Sequence, residues 1–256
     1  DVYSEVIKTF QSNYFHMGGD EVIVGSDEAW AGCWNSTKLG TDIIAKVAEL
    51  GLDRGDQQSF YFLWSEFVKR ATGLVQAAYA SSGNAGQTAK KFHMWGGSGL
   101  DAGGVTYNMM YQSDVTTTLP PSLFTIQVWD TVEGSLTSEL VNKGYDVVIA
   151  NSDYVYLDCG NQGWVGGGGY LCQPYHEWYH IYQYIADVKA KWSLTSEQIK
   201  KVAGSETLIW SEMVDDNNLS QKVWPRSSAL AEVLWSDPTE GWFPAAGRFL
   251  HWRELI

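Results

Sequence analysis

The sequence predicts an α/β fold, a parallel sheet covered by helices, on three observations. Short apolar runs alternate with stretches of helical period along the whole chain, which is the order that builds parallel strands with helical crossovers. Each run finishes in Trp, Tyr, Asp, Glu or Gly-Gly. Sites in such folds gather at the carboxyl ends of the strands, so five similar ends point to one rim. Length and composition permit it: 256 residues with 45% hydrophobic content bury a large core in one domain.

The elements follow in order. Tyr3, Val6, Ile7 and Phe10 stand at helical spacing, so the chain opens in a helix that delivers the first strand. That strand is Tyr14-Phe15-His16-Met17, and it runs into Gly18-Gly19 and then Asp20-Glu21. Glycines allow tight backbone conformations and close approach of a ligand. Adjacent strand residues point to opposite faces, so Asp20 and Glu21 share a site only if the chain turns after Gly19, and they then have different roles. The bland alternative is a solvated acidic pair opening a loop.

Residues 26–40 read as a loop with Trp30, Cys33 and Trp34 packed beneath it. Thr41 is expected to cap a helix that runs through Leu50 and stops at Gly51. Phe60, Leu63, Trp64, Phe67 and Val68 mark a second helical face, read as core. After a polar connection, Phe92-His93-Met94-Trp95 forms a second strand whose Gly96-Gly97 end echoes the first. The third strand follows Pro120-Pro121 and ends in Trp129 and Asp130. A helix over 136–143 stops at Gly144, and Val147-Val148-Ile149-Ala150 is the fourth strand.

The glycines of 166–169 are no phosphate cradle, because the helix such a cradle needs does not follow. Tyr175, Trp178, Tyr179, Tyr182 and Ile185 form the next helical face. Thr195 with Gln198 signals a capped helix through Val202. Leu208-Ile209-Trp210-Ser211-Glu212 is the expected fifth strand, and helices over 228–234 and 245–255 follow.

The net charge of −13 argues against nucleic acid as a partner, since phosphates require a Lys/Arg surface. No run is long and apolar enough for a membrane helix, so no membrane role is expected. Trp 13 and Tyr 14 are high counts; most fill core, but such rings are also platforms for the apolar faces of sugars. Cys159, Cys172, His176 and His180 have a spacing that departs from common zinc-finger patterns, so a loop-closing Cys159–Cys172 disulfide is favoured over a metal site. Cys33 is left over, either as a buried thiol or with a partner outside this sequence. Asn35 and Asn218 begin N-x-S/T sequons, which permit glycosylation along a secretory route.

The ordered set His16-Met17-Gly18-Gly19-Asp20-Glu21, Met94-Trp95, Val128-Trp129, Tyr156-Leu157-Asp158, Trp210-Ser211-Glu212 and Trp224-Pro225-Arg226 resembles glycoside hydrolase family 20, the β-N-acetylhexosaminidases. The stretch from Cys159 to Trp178 looks most like fungal members. The resemblance implies a TIM (β/α)8 barrel that hydrolyses terminal non-reducing β-linked N-acetylhexosamine by a retaining, substrate-assisted route without a cofactor. Glu21 would protonate the glycosidic oxygen and later activate water. The substrate's own 2-acetamido oxygen would be the nucleophile, closing to an oxazolinium ion. Asp20 would orient that group and Tyr156 would hydrogen-bond its oxygen. Trp95, Trp129 and Trp210 would line the sugar pocket, and Asp158 and Glu212 would bind hydroxyls. His16 would support the acid pair, unless it is a satisfied core histidine.

The physics agrees with this scheme. A nucleophile already tethered to the reacting ring has a high effective concentration, and a charged Asp20 beside Glu21 helps keep Glu21 protonated. The chain departs from the family in one respect: five strands are counted, corresponding to strands four to eight of eight. Residues 1–256 are therefore expected to be a single segment of the catalytic barrel, incomplete without its opening strands. Expected partners are an N-acetylhexosamine-terminated oligosaccharide and the missing amino-side part of the same protein, with a homodimer also allowed. A secreted or lysosomal/vacuolar location is implied. Two other readings stand beside this one: a retaining glycosidase with Glu212 or Asp158 as nucleophile, and a carbohydrate-binding pseudoenzyme.

Overall fold

Parallel pairing begins where the sequence turns apolar. In the computed structural model, which describes residues 2–20, 33–38, 40–82, 91–97, 115–160 and 174–255, the first strand β1 (Tyr14–His16) lies parallel to β2 (Lys91–Gly96). Tyr14 is opposite Lys91, Phe15 opposite Phe92 and His16 opposite His93. The burial of β2 alternates strictly, Phe92 and Met94 being buried while His93 and Trp95 are half-buried. One face of β2 therefore belongs to the core, and the other carries His93 and Trp95.

The chain divides into two compact units, residues 1–127 with 143–145, and residues 128–142 with 146–256. In the first, helix α1 (Val2–Thr9) buries Ile7 and sets Tyr3 edge-on to Phe15, with ring centroids 5.1 Å apart. Helix α2 (Thr41–Glu49) starts one residue earlier than a Thr41 cap requires: its N-cap is Gly40, with no side-chain cap. Gly40 lies so close to the Cys33 carbonyl that a Cβ there would collide with it, so packing against that turn outweighs the missing cap. The helix ends at Leu50, with Gly51 at φ +68° as a left-handed stop.

The long helix α3 (Gln57–Ser81) buries Phe60 and Val68, but Phe67 is 58% exposed, so the expected core stripe is only partly core. From its end, the Tyr79 hydroxyl donates to the Ser12 carbonyl at 3.1 Å and holds the approach to β1. A short helix α4 (Val115–Thr118) precedes β3 (Phe124–Val128), which is buried at every residue, as a strand covered on both faces must be. Phe92 N–H donates to the Leu123 carbonyl at 2.8 Å, and strand order in this unit follows the sequence, β1-β2-β3. Cys33 is a free and exposed thiol rather than a buried one, while Trp34 packs edge-on to Phe60. Trp30 lies outside the described residues.

The second unit starts at Val128, whose carbonyl accepts from Ala150 N–H at 2.8 Å. Helix α5 (Leu136–Asn142) buries Leu136 and Leu140 and is followed by Gly144 at φ +92°. Strand β4 (Asp146–Ile149) pairs in parallel with β5 (Val202–Ser205), with an irregularity between Val147 and Val148. The fifth strand is thus not at 208–212. Leu208 makes only a single parallel bridge with Tyr156, and Ser211–Met213 is one turn of 3-10 helix. The helix predicted to run through Val202 ends at Ile199, and Val202 opens β5 instead, because pairing with β4 overrides the weak local preference of the short, small run Val-Ala-Gly-Ser.

The capped helix itself forms as α8 (Ser196–Ile199) after α6 (Ser152–Val155) and α7 (Trp178–Lys191), with a full capping box between Thr195 and Gln198. Helices α9 (Leu219–Val223), α10 (Arg226–Ser236) and α11 (Trp242–Leu255) complete the unit. No helix among the described residues is long and apolar enough to cross a membrane.

Candidate active site

In the first unit, the carboxyl end of β1 is shaped by backbone. Parallel pairing continues past His16, with Met17 N–H donating to the His93 carbonyl at 2.7 Å and Trp95 N–H to the Gly18 carbonyl at 3.1 Å. The chain then turns through Gly18 at φ +74° and Gly19 at φ +95°. A Cβ on Gly18 would meet nothing within 4 Å, so the requirement for glycine there is conformational rather than steric crowding. The turn releases Asp20 from the alternation of the strand. Asp20 emerges from it exposed, and Glu21 lies outside the described residues.

His16 is exposed on β1 and so is not a core histidine. Its Nδ1 accepts from Gly18 N–H at 3.0 Å, which places the proton of the neutral ring on Nε2. The ring lies 4.9 Å from that of Trp95 at a 55° tilt, so the ends of β1 and β2 present an imidazole and an indole together.

In the second unit, the site is shaped by side chains reaching across the sequence. Leu157 N–H donates to the Leu208 carbonyl at 2.6 Å, and Leu208 N–H donates to the Val155 carbonyl at 2.9 Å. This pairing brings Tyr156 beside Trp210, with ring centroids 6.2 Å apart. Asp158 is 6% exposed, and its Oδ1 accepts from Trp210 N–H at 3.1 Å. Burial raises the Asp158 carboxyl above its ordinary range; the Trp210 N–H works against that rise, and the Glu212 charge adds to it. The Trp210 indole remains 42% exposed. Glu212, in the 3-10 turn, is exposed and next to Met213. Met213 lines a cleft of about 350 Å³ with Tyr175, Asn218, Gln221 and Lys222.

Trp129 follows β3, half-buried, and its carbonyl accepts from Ser152 N–H at 3.2 Å. Behind it, buried Asn151 donates from Nδ2 to the Asp130 carbonyl at 2.6 Å and accepts from the Tyr184 hydroxyl. Asp153 accepts from Val132 N–H at 3.0 Å. Residues 129–132 and 151–153 are thereby tied together within this unit. Sequence reasoning missed Asn151, Asp153 and Tyr184, and only their position just after strands or on a buried helix face could have suggested them. Arg226 stands in the run Trp224-Pro225-Arg226, which by itself implies no role for it.

Cys159 is disulfide-bonded, so it is not a thiolate ligand for zinc; Cys172 lies outside the described residues. Among the described residues, no group of three or more His, Cys, Asp or Glu could hold a metal ion. The sequon asparagines are engaged: Asn35 Oδ1 accepts from Arg54 Nε, and Asn218 Oδ1 accepts from Asp215 N–H at 3.0 Å.

Residues 1–238 match the model of the glycosyl hydrolase family 20 catalytic domain. The chain is 34% identical, over its whole length, to a chitooligosaccharidolytic β-N-acetylglucosaminidase of Ostrinia furnacalis, of which it covers 38%. It is 28% identical to a β-hexosaminidase of Emericella nidulans, with 92% of this chain and 36% of that protein covered. Among solved structures, it is similar to a family 20 exo-β-N-acetylglucosaminidase of Vibrio harveyi in complex with N-acetylglucosamine. The TM-score is 0.65 at 19% identity, covering 98% of this chain and 32% of the other. That likeness shows the fold, an α/β barrel in part. The chain spans little more than a third of the length of these curated relatives.

Proposed function

Because the chain belongs to glycosyl hydrolase family 20, we propose that the protein carrying it hydrolyses terminal non-reducing β-linked N-acetylhexosamine by a retaining, substrate-assisted mechanism. The observation that carries this reading is the cluster at the Tyr156–Leu208 bridge, where a phenol, a buried carboxylate and an open indole stand together. A phenolic O–H donates to an acetamido oxygen, a carboxylate accepts from sugar hydroxyls, and an indole covers the apolar face of a pyranose.

Tyr156 holds the acetamido oxygen against the anomeric carbon while Asp20 accepts from the acetamido N–H and offsets the charge that develops there. Glu21 donates its proton to the glycosidic oxygen as the bond to the leaving group breaks and the acetamido oxygen bonds to the anomeric carbon. It then takes a proton from the water that opens the oxazolinium, so configuration is retained after two inversions. Trp95, Trp129 and Trp210 form the walls, Asp158 and Glu212 hold hydroxyls, and His16 braces the Gly18 turn. Chitooligosaccharides are the proposed substrate class, supported by the likeness to the chitooligosaccharidolytic enzyme of Ostrinia furnacalis.

The remaining barrel strands are supplied by further sequence of the same protein, a reading supported by the partial coverage of its relatives. The disulfide at Cys159 supports a secreted or lysosomal/vacuolar location, where such bonds persist.

The test uses the full-length protein and 4-nitrophenyl N-acetyl-β-glucosaminide, with and without a thiazoline mimic of the oxazolinium. Release of nitrophenol that the thiazoline blocks is expected. Release that the thiazoline leaves untouched would transfer the mechanism to a protein carboxylate nucleophile such as Asp158 or Glu212. Saturable binding of N-acetylglucosamine without release would make the protein a carbohydrate-binding pseudoenzyme.

A further inference from the structure

Arg226 is the first residue of α10, yet it is 2% exposed. A buried guanidinium is costly unless its donors are satisfied, and the charge of Asp158 lies near enough to favour this one. Its donors go to three backbone carbonyls. Nε donates to Lys222 at 2.9 Å, Nη1 to His176 at 3.4 Å and Nη2 to Leu157. The ring of Tyr175 covers the guanidinium at 4.7 Å. The fork therefore joins the end of α9, the segment leading into α7, and the short turn that carries Tyr156 and Asp158.

The Leu157 contact gives this arrangement a functional meaning. Leu157 lies between the two site residues, and its N–H is already fixed by the Leu208 carbonyl. With its carbonyl fixed by Arg226, both peptide planes around Leu157 are held, and so are the directions in which Tyr156 and Asp158 leave the backbone. The Leu208 side of the pairing also leads to Trp210, whose N–H binds Asp158.

We infer that Arg226 is a positioning residue for the acetamido-binding part of the site, acting through the Leu157 peptide on Tyr156. This rests on the proposed function, because it takes Tyr156 as the donor to the acetamido oxygen. Arg226 itself touches no substrate. A Lys at this position keeps the charge but loses the planar fork that reaches several carbonyls at once.

The experiment compares wild type, Arg226→Lys, Arg226→Met and Tyr156→Phe in the full-length protein, with both arginine variants also combined with Tyr156→Phe. Displacements of about 1 Å remote from the chemistry cost up to about 100-fold, so Arg226→Met is expected to lower kcat/KM by about 10- to 100-fold, mostly in kcat, with Arg226→Lys intermediate. The loss is expected to shrink severalfold in the Tyr156→Phe background, because a residue acting through Tyr156 has less to position once that hydroxyl is gone.

The same proteins are titrated with N-acetylglucosamine, whose binding reports positioning whether or not turnover occurs. Weakened binding in the arginine variants of an inactive wild type would refute the hydrolase reading and leave this inference standing. An active wild type with unchanged arginine variants would overturn the inference alone, as would losses that multiply independently of Tyr156. A wild type that neither binds nor turns over overturns both. Failure of both single arginine variants to fold, read by circular dichroism, would assign Arg226 to stability and reject the positioning role.

Discussion

The two units hold their candidate site residues by different physics. At the end of β1, the geometry is set by consecutive residues: two glycines in the left-handed region, and a histidine nitrogen that accepts from the N–H two residues on. At the Tyr156 turn, it is set by partners far along the chain, with Trp210 binding Asp158 across 52 positions and Arg226 binding Leu157 across 69. The first arrangement leaves its acid exposed, while the second buries its acid and its cation. A turn held mainly by backbone conformation tolerates exchange of its side chains, except at His16, whose Nδ1 accepts from Gly18 N–H. A turn held by long-range hydrogen bonds transmits a change in any one partner to the others.

The largest effect that would sharpen this contrast is expected from Glu21→Gln. General acid–base catalysis contributes about 10²- to 10⁴-fold, so turnover of substrates with poor leaving groups should fall by that order while binding persists. Unchanged steady-state rates would remove Glu21 from the chemistry. Next comes Tyr156→Phe, which deletes one preorganised donor and is expected to cost about 10²-fold in kcat, as oxyanion-type donors do. A loss confined to KM would mean that the phenol only binds.

A smaller effect, on stability, tests the turn held by backbone. Gly18→Ala forces a Cβ into the left-handed region at φ +74° and should destabilise by about 1–2 kcal/mol, read from the urea midpoint. Since a Cβ there meets open space, no change would show that the turn relaxes freely, and the contrast between the two turns would break.

The smallest expected effect concerns pH in the second unit. His176 stacks on Tyr154 at 4.4 Å, and burial pulls its pKa below the ordinary 6.5. The Asp153 carbonyl works the other way, while His180 and Arg226 add to the lowering. With the folded pKa depressed, folding favours the neutral ring. Stability from this group is therefore complete above 6.5 and declines as pH falls below 6.5 toward the folded value, where the unfolded chain takes up the proton first. The urea midpoint of wild type should drop across that window, and His176→Asn should flatten the drop. An identical pH profile in the variant would assign it to other groups.

Much of the fold was legible locally. Alternation of apolar runs with helical stretches located β1 to β4 within a residue or two, and the Thr195–Gln198 capping box and the stop after α5 formed where their residues predicted. The fifth strand was misplaced because Leu208-Ile209-Trp210 has strong strand character, whereas Val202–Ser205 has little. Pairing with β4 decided between them, and pairing is a long-range quantity. The Thr41 cap failed for a related reason, since the Cys33 turn packed against Gly40 instead.

The sequence by itself determined the alternating α/β pattern, the glycine turn that frees Asp20 from the strand's alternation, and the residue types gathered at the strand ends. These follow from properties carried by neighbouring residues: side-chain period, β-branching and the missing Cβ of glycine. Only the tertiary structure decided that Asp158 is buried against Trp210 N–H, that Asn151 bonds both Asp130 and Tyr184, and that Arg226 spends its charge on the Leu157 carbonyl. Hydrogen bonds between residues 33 to 69 positions apart leave no local pattern in the chain; they exist only once burial has removed water as the competing partner.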